Sequence, residues 1–120
     1  MRRCLMLDLK DDPGCIARYE DLHREIWPEV ACHLREQGVI GMLIFRLGTR
    51  LCMLMETDDQ RYDAQRMAHA EATNPRVLEW ETLMWEFQSP TPWTPTGAKW
   101  TEAACIFDLS RDGMGQSNGS

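Results

Sequence analysis

The chain has 120 residues, 43% of them hydrophobic and 27% charged, the proportions of a single globular domain. Its 13 Lys+Arg against 19 Asp+Glu leave a formal charge of −6, which argues against a nucleic-acid partner because no basic face is available. No apolar run approaches the roughly 20 residues that cross a bilayer, and the run after Arg2-Arg3 is too short for a signal peptide, so no membrane partner is expected. Five cysteines (Cys4, Cys15, Cys32, Cys52, Cys105), odd in number and without a C-x-x-C pair, fit reduced thiols in a cytoplasm.

In chain order, Arg3 to Leu9 reads as a strand with both faces apolar: Leu5, Leu7 and Leu9 on one, Cys4 and Met6 on the other. Asp11-Asp12-Pro13-Gly14 then ends the strand and opens a helix from about Gly14 to Arg24. Pro28 lacks an N–H and clashes with a preceding turn, so a break falls near Glu25 to Trp27. A second helix follows from Pro28 to Gln37, with Gly38 as its C-terminal cap. Val39–Arg46 and Leu51–Glu56 form a hairpin around Leu47-Gly48-Thr49-Arg50. Asp58 to Ala72 and Arg76 to Phe87 read as a second helix pair, separated by Asn74-Pro75. A proline-rich connection, 89–97, leads to a last strand at Ala103–Leu109. The tail from Ser110 to Ser120 is polar and glycine-rich, and disorder is expected there.

This order predicts an α+β fold: a ferredoxin-like βαββαβ domain over residues 1–109, with each helix split in two. The face of the sheet away from the helices is also apolar. The economical cover is a second copy of the same sheet, so a homodimeric α/β barrel is expected.

One helical stripe carries candidate chemistry. Tyr19, His23 and Trp27 recur every four residues, which places them on one face. His23 titrates near neutrality and so suits proton transfer. Pro28 puts Trp27 at the helix break, where it anchors the turn and leaves Tyr19 and His23 as the working pair. Trp80, between Glu79 and Glu81, offers a flat apolar platform with one donor, suited to the C–H face of a sugar. His33 and His69 lack an aromatic stripe and read as surface or interface residues. No H-x-x-x-H or C-x-x-C pair is present, and no glycine-rich phosphate loop, so neither metal nor cofactor is expected.

The run Tyr19-x-x-x-His23-x-x-x-Trp27-Pro28-Glu29, the helix ended by Gly38, the hairpin, and Glu79-Trp80-x-x-Leu83-Met84 together resemble the L-rhamnose mutarotase family, which includes related fucose mutarotases. The resemblance runs from about Arg3 to Leu109. It implies a dimeric ferredoxin-like barrel that binds a 6-deoxy hexose in each subunit, with His23 as proton donor and Tyr19 holding the sugar. It also places Met42 where the rhamnose pattern has a second tyrosine, and Glu81 where that pattern has a second tryptophan. These two exchanges alter the pocket wall, so L-fucose is the expected substrate and L-rhamnose the alternative. Glu81 is a candidate second proton-transfer group. From the residues alone two other classes stay open: a non-catalytic small-molecule-binding dimer and a cofactor-free monooxygenase.

Overall fold

In a computed structural model that describes residues 1–112, strand β1 (Arg2–Leu9) lies at the centre of one antiparallel sheet. Strands β2 (Val39–Leu47) and β3 (Arg50–Thr57) form the expected hairpin, and β3 pairs with β1. Leu7 faces Leu51 and Leu5 faces Met53 across that pair. The helices split as the two prolines require. Helix α1 (Pro13–Arg24) starts on Asp12, whose carboxylate accepts from the Gly14 and Cys15 amides at 2.8 and 3.2 Å. Helix α2 (Pro28–Glu36) has Pro28 in its first turn, where the missing N–H costs nothing. Gly38 ends α2 at φ +93°, and a Cβ there would lie 2.9 Å from the Tyr62 amide nitrogen, so only glycine fits.

Helix α3 (Ala64–Thr73) begins six residues later than the sequence suggests. Asp58, where the helix is expected to start, opens a turn instead: its carboxylate accepts from the Gln60 amide at 3.0 Å and its carbonyl from the Tyr62 amide at 2.8 Å. Asp63 is the helix cap, accepting from the Gln65 and Arg66 amides at 2.9 and 3.1 Å. Helix α4 (Pro75–Trp85) is capped by Asn74.

The last strand departs most from expectation. Residues 104–108 carry no strand; β4 (Gln88–Ser89) and β5 (Thr101–Ala103) pair instead with the free edge of β1. Gln88 lies opposite Leu9 and Ser89 opposite Asp8; Thr101 lies opposite Met6 and Ala103 opposite Cys4. Both pieces therefore run the same way along one edge, as a single strand interrupted by residues 90–100. Threonine hydroxyls tie this loop: Thr91 and Thr94 meet at 2.8 Å, and Thr101 donates to Thr94 at 2.9 Å. A strand at 103–109 would have needed Ile106 and Phe107 to find a core, yet they are 90 and 64% exposed. A short helix, α5 (Leu109–Asp112), follows, and residues 113–120 of the expected tail lie outside the described residues.

The sheet order β2-β3-β1-β4, with β5 also on β1, and helix pairs after β1 and β3, is the ferredoxin-like arrangement. The core lies between the sheet's inner face and the helices. Leu9, Tyr19, Val30, Leu51, Trp80, Met84 and Phe87 form one cluster; Val39, Met53 and Met55 form a second beside it. The outer face is also apolar, as the sequence predicts, but within one chain Leu43, Phe45 and Leu54 remain 59, 54 and 41% exposed there. Among the described residues no helix is long and apolar enough to cross a membrane.

Candidate active site

Between the inner sheet face and the helices lies a cavity of about 520 Å³, within the size range of small-molecule pockets. Tyr19, His23, Met42, Trp80 and Glu81, which the sequence singles out from three different elements, all line it. Helix α1 contributes the first two. Its four-residue spacing stacks the Tyr19 and His23 rings 4.3 Å apart at 32°. His23 Nδ1 lies 2.8 Å from the Tyr19 carbonyl oxygen, and an oxygen acceptor requires the ring proton on Nδ1. The lone pair of the neutral ring is therefore on Nε2. Burial lowers the pKa of His23 below the ordinary 6.5, opposed in part by that same backbone bond. The neutral ring prevails at physiological pH.

Tyr19 is buried, and its hydroxyl accepts from Gln88 Nε2 at a long 3.4 Å. Burial pushes the phenol up to about 12, with the Gln88 bond opposing and the Glu81 charge adding. Tyr19 is thus a proton-bearing hydroxyl at any physiological pH. Trp80, from α4, adjoins this pair, edge-to-face with His23 at 5.4 Å and with Trp27 at 5.1 Å. Trp27 anchors the turn between α1 and α2, where the Arg76 guanidinium covers its ring at 3.7 Å. Leu5, Met42, Ile44, Met53 and Met55 supply an apolar floor from the sheet.

Four polar groups in the cavity wall escape a reading of the sequence. Lys99, from the loop that interrupts the edge strand, binds Glu81 at 2.9 Å, so Glu81 enters the pocket as half of an ion pair. Gln88, at the start of β4, is buried with no hydrogen-bond partner for Oε1. His33, which the sequence assigns to the surface or an interface, is instead buried within the chain at 5% exposed. It points inward from α2 because it lies one turn from buried Val30. Its Nε2 has no hydrogen-bond partner and lies 3.8 Å from Glu71 Oε2 on α3. A buried polar atom left without a partner costs about 1–3 kcal/mol, so a hydroxyl group or a water in the cavity would stabilise both atoms. His69 is exposed, in keeping with its surface reading.

Such a chamber can bind a small polyol: an apolar floor, two aromatic walls, hydroxyl-sized acceptors and donors, and a neutral imidazole with its basic nitrogen free. Residues 2–109 match the protein family described as L-rhamnose mutarotase. A protein of Xanthomonas campestris pv. campestris named L-fucose mutarotase is 48% identical over 111 residues, covering 91% of this chain and 88% of its own length. A UPF0734 protein of Dictyostelium discoideum is 36% identical over 109 residues, covering 86% of this chain and 85% of its own. Among solved structures, an L-rhamnose mutarotase of Formosa agariphila has the same fold (TM-score 0.65, 21% identity, 90% of this chain and 97% of that one). The tetracenomycin F2 cyclase of Streptomyces glaucescens shares it more distantly (TM-score 0.56, 19% identity, 90% of this chain and 97% of that one).

Proposed function

Because the chain belongs to the L-rhamnose mutarotase family and is an isomerase acting on carbohydrates, we propose that it interconverts the α and β anomers of L-fucose. The observation that carries this reading is the convergence of Tyr19, His23, Met42, Trp80 and Glu81 on one cavity. The choice of L-fucose is supported by the 48% identical relative of that name and by Met42 and the Glu81–Lys99 pair in the wall. An ion pair presents an acceptor and a donor side by side, which suits a vicinal diol. The methionine and its apolar neighbours suit the C6 methyl of a 6-deoxy sugar.

Mutarotation opens the pyranose to the aldehyde, turns the C1–C2 bond and recloses the ring. Opening requires a proton to leave the anomeric hydroxyl and another to reach the ring oxygen. His23 Nε2, basic and fixed by the Nδ1 bond to the Tyr19 carbonyl, takes the anomeric proton and returns it on closing. It is the base in one direction and the proton donor in the other. Tyr19, fully protonated, donates a hydrogen bond to the sugar, and Trp80 supports the C–H face. Saturation-transfer NMR tests the assignment: the protein should accelerate anomer exchange of L-fucose more than that of L-rhamnose. Faster exchange on L-rhamnose would reverse the substrate choice, and no acceleration on either sugar would end the mutarotase reading.

We also propose a homodimer joined through the outer sheet face, where Leu43, Phe45 and Leu54 stand exposed on adjacent strands. A second copy matches this flat apolar ladder in size and chemistry. Light scattering should give twice the chain mass of 13.9 kDa, whereas a mass near 13.9 kDa at micromolar concentration contradicts the dimer. A cytoplasmic location is supported by the five cysteines, odd in number and without a C-x-x-C pair, which suit reduced thiols.

A further inference from the structure

Ring opening needs two proton transfers, and His23 accounts for one. The second group must line the same cavity and carry a proton it can release at neutral pH. Tyr19 lines the cavity but holds its proton too tightly. Glu81 has an oxygen already bonded to the Lys99 ammonium at 2.9 Å. Glu71, on α3, lines the cavity with no cation bonded to it; its one ion-pair contact among the described residues is the 3.8 Å approach to His33 Nε2. That approach is too long for a hydrogen bond. His33 Nε2 is in turn an orphan within a side chain only 4% exposed, aimed at the carboxyl and held there by α2. Two acid–base groups from two helices, facing each other unbonded in the wall of the cavity, have the form of a dyad awaiting a substrate.

We propose that Glu71 is the second catalytic residue, delivering a proton to the ring oxygen as His23 removes the one on the anomeric hydroxyl, and that His33 positions its carboxyl. The inference rests on the mutarotase reading above. In opening, the O1–H bond electrons form the C1=O π bond, and the proton goes to His23 Nε2. The C1–O5 bond breaks toward oxygen, and O5 takes the proton of the Glu71 carboxyl. The site then holds imidazolium and carboxylate, and reclosure on the other face returns both protons. A shift of about 1 Å brings the new carboxylate within hydrogen-bond reach of a His33 N–H.

The charged surroundings suit this role. Burial pushes the Glu71 carboxyl up to about 7, Glu81 of α4 adds to the rise, and Lys99 of the loop opposes it. His33 is held down by burial, against Glu81 and Glu36, and so faces Glu71 as a neutral ring. The sign of the pH dependence follows. Glu71 acts as an acid, so activity falls as pH rises through about 7. His23 acts as a base, so activity also falls as pH drops below its lowered pKa.

Anomer exchange of L-fucose, followed by NMR from pH 5 to 9, tests the assignment in the wild type and in Glu71→Gln, Glu71→Asp and His33→Phe. Glu71→Gln should exchange the sugar about 10²-fold more slowly and lose the alkaline limb, while tryptophan-fluorescence titration shows L-fucose still bound. Glu71→Asp should be slowed yet keep that limb. His33→Phe should move the limb to higher pH, because the carboxylate loses its donor. Exchange within about twofold of wild type in Glu71→Gln, or an alkaline limb that persists in it, overturns the role of Glu71 alone. A wild type that accelerates neither sugar overturns the mutarotase reading and this inference together.

Discussion

Replacing His23 with alanine should slow protein-catalysed anomer exchange of L-fucose by about 10²- to 10⁴-fold, the usual weight of a positioned acid–base group. The expectation follows from one hydrogen bond. The Tyr19 carbonyl takes the Nδ1 proton, which frees Nε2 and fixes the plane of the ring. No other side chain in the cavity offers a neutral nitrogen fixed by a bond of this kind; His33 Nε2 is held beside Glu71. The fold should survive the change, since His23 is half-buried at the end of α1 and lies outside both buried clusters. Saturation transfer on the variant and on wild type, at equal concentration and at pH 7, decides the matter. Equal exchange rates would remove His23 from the reaction.

The second large effect concerns stability. Trp80→Ala should destabilise the fold by about 3–5 kcal/mol, the range for removing a large buried aromatic. Trp80 is 5% exposed and meets both His23 and Trp27 edge-to-face. Its removal opens a void at the point where α1, the turn before α2 and α4 come together. Trp27 loses its aromatic partner at the same time. Trp80→Phe keeps most of the apolar volume and should recover most of the loss. Urea unfolding of the three proteins gives the comparison, and a loss under about 1 kcal/mol for Trp80→Ala would show that the void closes by collapse. Such a result would also weaken the assignment of Trp80 as a rigid wall for the sugar.

How far the sequence could be read depended on the range of the signals. Helix starts and the break at Pro28 are local events, governed by a cap and a missing N–H, and α1, α2 and the hairpin appear within a residue or two of expectation. An aspartate opens a turn as readily as a helix, so the pattern from Asp58 does not separate the turn at 58–62 from α3, which begins six residues later. The last strand failed for a non-local reason. The run at 103–109 is apolar enough for a strand, but the edge of β1 is already occupied by 88–89 and 101–103. The site divides the same way. The Tyr19–His23 pair was legible because helical periodicity brings it together. His33 and Glu71 were not, because their meeting depends on how α2 packs near α3. Lys99 follows a proline-rich stretch whose path no periodicity reveals.

The interruption of the edge strand has a consequence for how this enzyme type can change. Residues 90–100 leave the sheet and return to it on the same neighbouring strand, so the loop's two ends are held independently of its contents. Lengthening such a loop costs little, since closure entropy grows only logarithmically with length. Yet the loop carries Gly97 and Lys99 into the cavity wall, with Trp100 where it rejoins the strand. The segment is thus an exchangeable module: grafts here can redraw one part of the cavity wall while Tyr19 and His23, carried by α1, keep their geometry. Evolution, or a protein engineer, can alter the sugar accepted without reopening the problem of folding the sheet.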